Sequence, residues 1–307
     1  MPATTLPGGA VVTTFPALPH GFDLDKASDS DRAKFGIPRL PAGSDAEKQW
    51  RDLTKRLRFV EPSFTPRQRQ RKELPHFKPG HGPETTSIWS GGITFPAKGD
   101  KIWDVNGTWN IPKATPPSGA KNGITYTAST WIGIDGDDGS GDVLQAGCDA
   151  DVTPSGSGAD YQFNPWWEWY PNPEVAITNF PVNPGDMITM LICSTQGAGS
   201  TSASVYFTNR TTGASISFTI SPPSGYQLVG NCAEWIVEAP TVNGSQSAIA
   251  DYGETFFSVC EAVTNSGATV SGGTGDNINL ANGSTVLSEG VLITPTIVQC
   301  LYAGASP

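Results

Sequence analysis

From about residue 85 the chain alternates apolar and polar positions over short runs. They read ITYTASTWIGI (124–134), MITMLICS (187–194), ASVYFT (203–208), ASISFTI (214–220), ETFFSV (254–259) and STVLSEGVLI (284–293). A period of two marks strands with one buried face. The turn signals NPGD, TTG, PPSG, NSG and ANG separate these runs. Short, regular strands joined by such turns predict an all-β antiparallel sandwich or barrel. No internal repeat is present.

The first 84 residues follow a different pattern. Ser28-Asp29-Ser30-Asp31 predicts a capped short helix that stops at Gly36, before Pro38. Ser44 and Glu47 form a capping box, after which Trp50, Leu53, Leu57 and Val60 share one helical face. The stretch PRQRQRKELPHFKPGHGP (66–83) is basic and Pro-rich and is expected to be an exposed linker open to proteolysis. The expected organisation is a partly helical, basic segment over 1–84 and a β domain over 85–307.

Charge sharpens this division. Residues 1–80 carry 14 Lys/Arg and 9 Asp/Glu, a net of +5, whereas 81–307 carry 5 and 20, a net of −15. So acidic a domain repels nucleic acid and anionic membrane. It also suits acid, because below the carboxylate pKa range few charges remain to repel one another. No run of about 18 apolar residues exists to form a membrane helix.

Residue types narrow the chemistry. His20, His76 and His81 all lie at or before residue 81. The β domain is thus not expected to run Ser-His-Asp, Cys-His or His-ligated zinc chemistry. Cys148, Cys193, Cys232, Cys260 and Cys300 are widely spaced with no CxxC, and an odd count leaves at least one thiol unpaired. The opening residues lack a basic region followed by an apolar one, so no signal peptide is read there. Sequons at Asn106, Asn209, Asn243 and Asn282 give modest support for secretion.

Carboxylates, amides and aromatics remain as candidates. They concentrate in WIGIDGDDGSGDVLQAG (131–147), NPWWEWYP (164–171) and NCAEWIVE (231–238). Strand parity places Asn164, Trp166, Glu168 and Tyr170 on one face. It does the same for Glu234, Ile236 and Glu238, for Trp131, Gly133 and Asp135, and for Val143 and Gln145. A Glu flanked by Trp is partly desolvated, which suits a general base or acid. Equally, each Glu can be a solvated residue of an alternating strand. The acids of 135–142 partly resemble a calcium loop but lack its bidentate Glu and helical flanks. A hairpin turn and no bound metal or cofactor are expected.

WIGIDGD, then LQAG, then WWEWYP, then AEWIVE, in this order and at similar spacing, resembles the glutamic peptidases called eqolisins. SIWSGG (87–92) and IADYGETFFSVCEAV (249–263) extend the likeness. The resemblance implies a two-sheet antiparallel β-sandwich of concanavalin or jelly-roll type with a concave substrate cleft. It implies a catalytic pair of Gln145 and Glu238, with cleft positions at Trp89, Trp131, Asp135, Trp166, Glu168 and Tyr170. The family's usual Asp at the next cleft position is Asn164 here, and the threonine usual after the catalytic Gln is Ala146. The family's half-cystine positions do not align with these five Cys.

The chemistry implied is acid-acting endopeptidase activity without metal. Glu238 would act on water as base and then acid, and Gln145 would stabilise the oxyanion. The resemblance further implies a secreted zymogen, acting as a monomer on polypeptides. Its basic N-terminal segment would cover the acidic domain until low pH weakens the attraction. Two other readings stay open on the residues: a glycoside hydrolase pairing Glu168 with Glu238, and a non-catalytic carbohydrate-binding sandwich with Trp platforms.

Overall fold

The computed structural model describes residues 3–16, 18–19, 21–23, 26–37, 48, 58–67, 80, 82–136, 140–194, 199–242 and 245–304. Antiparallel strands dominate and stack in two layers. One layer runs, neighbour to neighbour, through Val175–Ile177, Gly158–Tyr170, Val143–Ser155, Tyr126–Asp135, Ala233–Glu238, Trp89–Thr94 and Asp276–Asn282. The other runs through Val11–Thr14, Ala214–Ile220, Ala203–Asn209, Met187–Ser194, Ile102–Asn110, Glu254–Thr264 and Ile297–Tyr302. Thr285–Thr294 pairs with the last strand of each, so one hydrogen-bonded ladder folds over to make both layers.

The core lies between the layers, and the predicted alternation places it there. Leu144, Ala146, Cys148, Ala150 and Val152 point inward from one strand, with Ile132 and Ile134 from its neighbour and Val105, Trp109, Ile188, Met190, Val205 and Phe207 from the facing layer. Buried indoles need a partner for their N–H. Trp235 Nε1 donates to Asn106 O across the layers at 2.8 Å, and Trp109 Nε1 donates back to Thr130 Oγ1 at 3.0 Å.

The N-terminal segment packs on the edges of both layers. Its helix forms over Asp29–Lys34 with Ser28 as cap, Ser28 Oγ accepting from Asp31 N. Gly36 adopts φ 65°, the left-handed stop the sequence predicts. Trp50, Leu53 and Leu57 of the second expected helix lie outside the described residues. Val60 is not helical: Arg58–Phe59 forms a strand parallel to Ala214–Ser215, and Val60 N donates to Ser215 O. Phe64–Pro66 adds to Val175–Ile177 at the edge of the other layer. Thus edge strands with unpaired backbone groups capture the segment on both layers, and Pro66 is sheet, not exposed linker. The expected boundary at residue 84 falls inside the strand Glu84–Thr86, which pairs in parallel with Ile278–Leu280.

Two of the four sequons are closed to glycosylation in the folded chain. Asn106 and Asn209 are 1% and 0% exposed. All five cysteines are buried, and no disulfide forms among them. Among the described residues no helix is long and apolar enough to cross a membrane.

Candidate active site

The face turned away from the core in the first layer collects the expected residues. In register, Gln145 stands opposite Glu168 on one side and Gly133 on the other. Trp131 stands between Gly147 and Ile236. Glu238 stands between Ser129 and Trp89. Asn164 faces Asp149, Trp166 faces Gly147, and Tyr170 faces Val143. The alternation that buries Leu144, Ala146 and Cys148 therefore obliges Gln145, Gly147 and Asp149 to face the other way. Gln145 and Glu238 lie on strands separated by the Trp131 strand alone.

Aromatic rings build the floor. Trp89 and Trp131 pack edge to face, with centroids 4.9 Å apart at 76°. They cluster with Trp166, Ile236, Ile93 and Ile278. Gly147 makes room for this: a Cβ there would meet Thr130 O at 2.2 Å and Trp131 Cβ at 2.5 Å.

Both members of the expected pair are held by side-chain bonds. Trp131 Nε1 donates to Glu238 Oε2 at 2.8 Å. Gln145 Nε2 donates to Glu168 Oε2 at 2.7 Å. Gln145 Oε1 is buried with no hydrogen-bond partner. Glu168 thus fixes which end of the Gln145 amide points where, leaving one N–H and the carbonyl oxygen to act on something else. Gln145, Glu168 and Glu238 are at most 1% exposed. In so dry a setting each polar contact is stronger than in water.

Asp135, one of the expected cleft residues, is anchored through its carboxylate. Its carboxylate turns to the loop before the Glu238 strand: Oδ2 accepts from Val229 N at 2.7 Å, and Oδ1 from Gly230 N at 2.6 Å and Asn231 N at 2.9 Å. The residue sits at φ 72° to do so. Burial pushes its pKa up to about 7, against the opposing pull of these backbone donors. Asp142 likewise exceeds a turn residue. It accepts from Trp169 Nε1 at 2.8 Å, and burial raises its pKa to about 6. These acids lock the hairpin to its neighbours, a use their turn-like spacing hides. Among the described residues no group of His, Cys, Asp and Glu is placed to hold a metal.

Three features escaped the sequence reading. Asp149 and Asp151 continue the Gln145 face and accept from Ser129 Oγ and Thr127 Oγ1, both at 2.7 Å. Their signal was present in the alternation QAGCDADV. Glu234 accepts from the Cys232 thiol at 2.7 Å, beside the predicted Glu238. Arg67 pairs with Asp149 and Glu174, at 3.0 and 3.2 Å from its Nη1. Nothing local in the sequence links those three residues.

A two-layer antiparallel sandwich, with an amide and carboxylates on a Trp-floored face, is the arrangement of a glutamic peptide hydrolase. The chain belongs to the Peptidase A4 family, the eqolisins, whose profile matches residues 87–302. It is 29% identical over 220 residues to aspergillopepsin-2 of Aspergillus niger, covering 67% of this chain and 74% of that one. It is 31% identical over 152 residues to scytalidopepsin B of Scytalidium lignicola, covering 50% and 51%. Among solved structures, scytalido-glutamic peptidase with a transition-state analogue inhibitor matches with a TM-score of 0.58 at 26% identity, covering 71% of this chain and 98% of that one. Aspergilloglutamic peptidase from Aspergillus niger matches at 0.51 and 31% identity, covering 58% and 99%. The family, the sandwich and the peptide-hydrolase class expected from the motifs are thereby borne out, and the glycosidase and carbohydrate-binding readings are set aside.

Proposed function

We propose that the chain cleaves polypeptides in acid through Glu238 and Gln145. The observation that carries this reading is the Gln145 amide. It is oriented by Glu168, its carbonyl oxygen is unpartnered, and it faces the same way as a Glu238 held by Trp131. Glu238 as carboxylate takes a proton from water while the water oxygen attacks the peptide carbon. The remaining Gln145 N–H donates to the oxyanion, and Gln145 Oε1 holds the water. Glu238 then returns the proton to the amide nitrogen. The C–N bond breaks to give a carboxylic acid and an amine. Trp89, Trp131, Asn164, Trp166, Glu168 and Tyr170 contact the substrate, whereas Asp135 acts by positioning the Glu238 strand.

The test is cleavage of an unfolded protein at about pH 3–4 by wild type, Gln145→Ala and Glu238→Gln. Both variants are expected to fold and to lose activity. A fully active Gln145→Ala enzyme would rule the mechanism out.

In the same reading the protein is a secreted, monomeric zymogen. Arg67 is tied to Asp149 and Glu174 on one flank of the cleft strands. Gly80 and Gly82 donate to Asp276 on the other flank. These anchors tie the N-terminal segment to both flanks of the sheet that carries Gln145 and Glu238, which supports autoinhibition by residues 1–84. Protonation of carboxylates in acid would release it. Full activity with residues 1–84 still attached after incubation at about pH 3–4 would overturn this part.

A further inference from the structure

One strand carries two buried glutamates. Glu234 and Glu238 are 0% and 1% exposed. They project from the same side of Ala233–Glu238, with Ile236 between them. On the neighbouring strand Trp131 stands in register with Ile236, and Gly133 with Glu234. The Trp131 indole therefore lies alongside both acids. Its Nε1 donates to Glu238 Oε2 at 2.8 Å.

Gly133 shows what meets the other end of that indole. A Cβ built there would lie 2.9 Å from Trp131 Cζ3 and 3.2 Å from Glu234 Oε2. The ring corner and the carboxyl thus converge over a residue with no side chain to separate them. Cζ3 is para to the carbon that bears Nε1, so the two glutamates flank opposite ends of one ring system. A ring edge is the positive part of the aromatic quadrupole and attracts a carboxyl oxygen. The Cys232 thiol donates to Glu234 Oε1 at 2.7 Å and fixes the other oxygen. Trp89 packs against the same indole at 76°. The mechanism uses Glu238 and leaves Glu234 without a part.

We propose that Glu234 is a positioning residue for the reaction: it sets the Trp131 indole from the end remote from Nε1, and through the indole it sets the Glu238 carboxylate. A general base must stay within hydrogen-bond reach of its water, and a small rotation of the indole would carry Glu238 away from it. The role deepens the peptidase reading and rests on Glu238 as the base. It depends on the reach of the residue 234 side chain and not on its charge.

The test separates reach from charge. Glu234→Asp keeps the carboxyl but withdraws it from the Trp131 ring, whereas Glu234→Gln keeps the length. The acid-activated full-length protein is assayed on one peptide at about pH 3–4, with thermal unfolding as the check on folding. Glu234→Asp is expected to lose about tenfold in kcat with little change in KM, and Glu234→Gln to stay within about threefold of wild type. In a Trp131→Phe background the Glu234→Asp loss is expected to vanish, because the indole that carries it is gone. An active Glu234→Asp beside a weak Glu234→Gln, or an equal loss in both backgrounds, overturns the role. Should Glu234→Asp not fold, Gly133→Ala tests the same junction, since its methyl would press on Trp131 Cζ3 and Glu234 Oε2; unchanged kcat there overturns the role.

A second readout needs no catalysis. The Trp131 indole N–H, assigned by its absence from Trp131→Phe, is followed by NMR hydrogen exchange. Glu234→Asp is expected to speed its exchange about tenfold, while the Trp235 indole N–H, bonded to Asn106 O in the core, stays as slow as in wild type. If wild type cleaves no peptide, the Glu238 mechanism fails and this measurement alone judges Glu234. Unchanged exchange at Trp131, or equal acceleration at Trp131 and Trp235, overturns the positioning role.

Discussion

Gln145 Nε2 donates to Glu168 Oε2 at 2.7 Å, across paired positions of neighbouring strands. An amide can present either end to a reacting group, and an acceptor on one side removes the ambiguity. Glu168 therefore decides what Gln145 does. Glu168→Leu keeps the bulk and removes the acceptor, and kcat is expected to fall about 10²-fold through loss of alignment. Glu168→Gln retains an acceptor oxygen and is expected to keep most of the activity. Equal losses in the two variants would show that charge at residue 168, not orientation, matters.

Asp135 ties the loop that leads into the Glu238 strand through three backbone N–H groups. Asp135→Asn leaves one oxygen to accept them, and the unmet buried donors cost about 1–3 kcal/mol. A lower urea midpoint with reduced kcat is expected. A drop in KM-related binding alone, at unchanged stability, would instead favour direct substrate contact.

Gly147 is required by space and not by backbone angle. Gly147→Ala would drive a Cβ into Thr130 O and Trp131 Cβ. Because backbone atoms cannot yield as a side-chain tip does, a loss of at least about 1–3 kcal/mol is expected. Trp131 also holds Glu238, so activity should fall even at temperatures where the variant remains folded. Thermal unfolding and kcat measured together check this.

Stability should fall as pH rises. Burial, with the nearby negative charge of Glu261, pushes Asp104 up to about 8. Asp135 and Asp142 are pushed up to about 7 and about 6. Each folded side chain holds a proton that the unfolded one releases near its ordinary value of 3.8. The favourable contribution is thus complete below about 4 and is lost as pH climbs to each folded value, at about 1.4 kcal/mol per pH unit per group. Chemical denaturation between about pH 4 and pH 8 is expected to show the decline, and Asp104→Asn to flatten it. A stability maximum at neutral pH would contradict these environments.

Much of the site could be read from strand parity. The alternation around Gln145, Glu168 and Glu238 obliged these residues to share the face away from the core, because a strand turns successive side chains to opposite sides. The same rule contains Asp149 and Asp151, but no neighbouring aromatic in the sequence marks them out. Parity could not give the partners. Trp131 and Glu238 are 107 positions apart, and only the pairing of their strands brings the indole to the carboxylate.

By itself the sequence determined the β architecture, the absence of histidine from the body and the split of charge along the chain. These depend on residue type and on periodicities a few residues long. Tertiary structure alone decided where the segment before residue 84 attaches, that Asp135 and Asp142 brace the hairpin, and that Arg67 meets Asp149 and Glu174. Each of these outcomes depends on which strand edges meet and on which carboxylates lose their water. Such contacts join residues tens to hundreds of positions apart, and no local pattern encodes them.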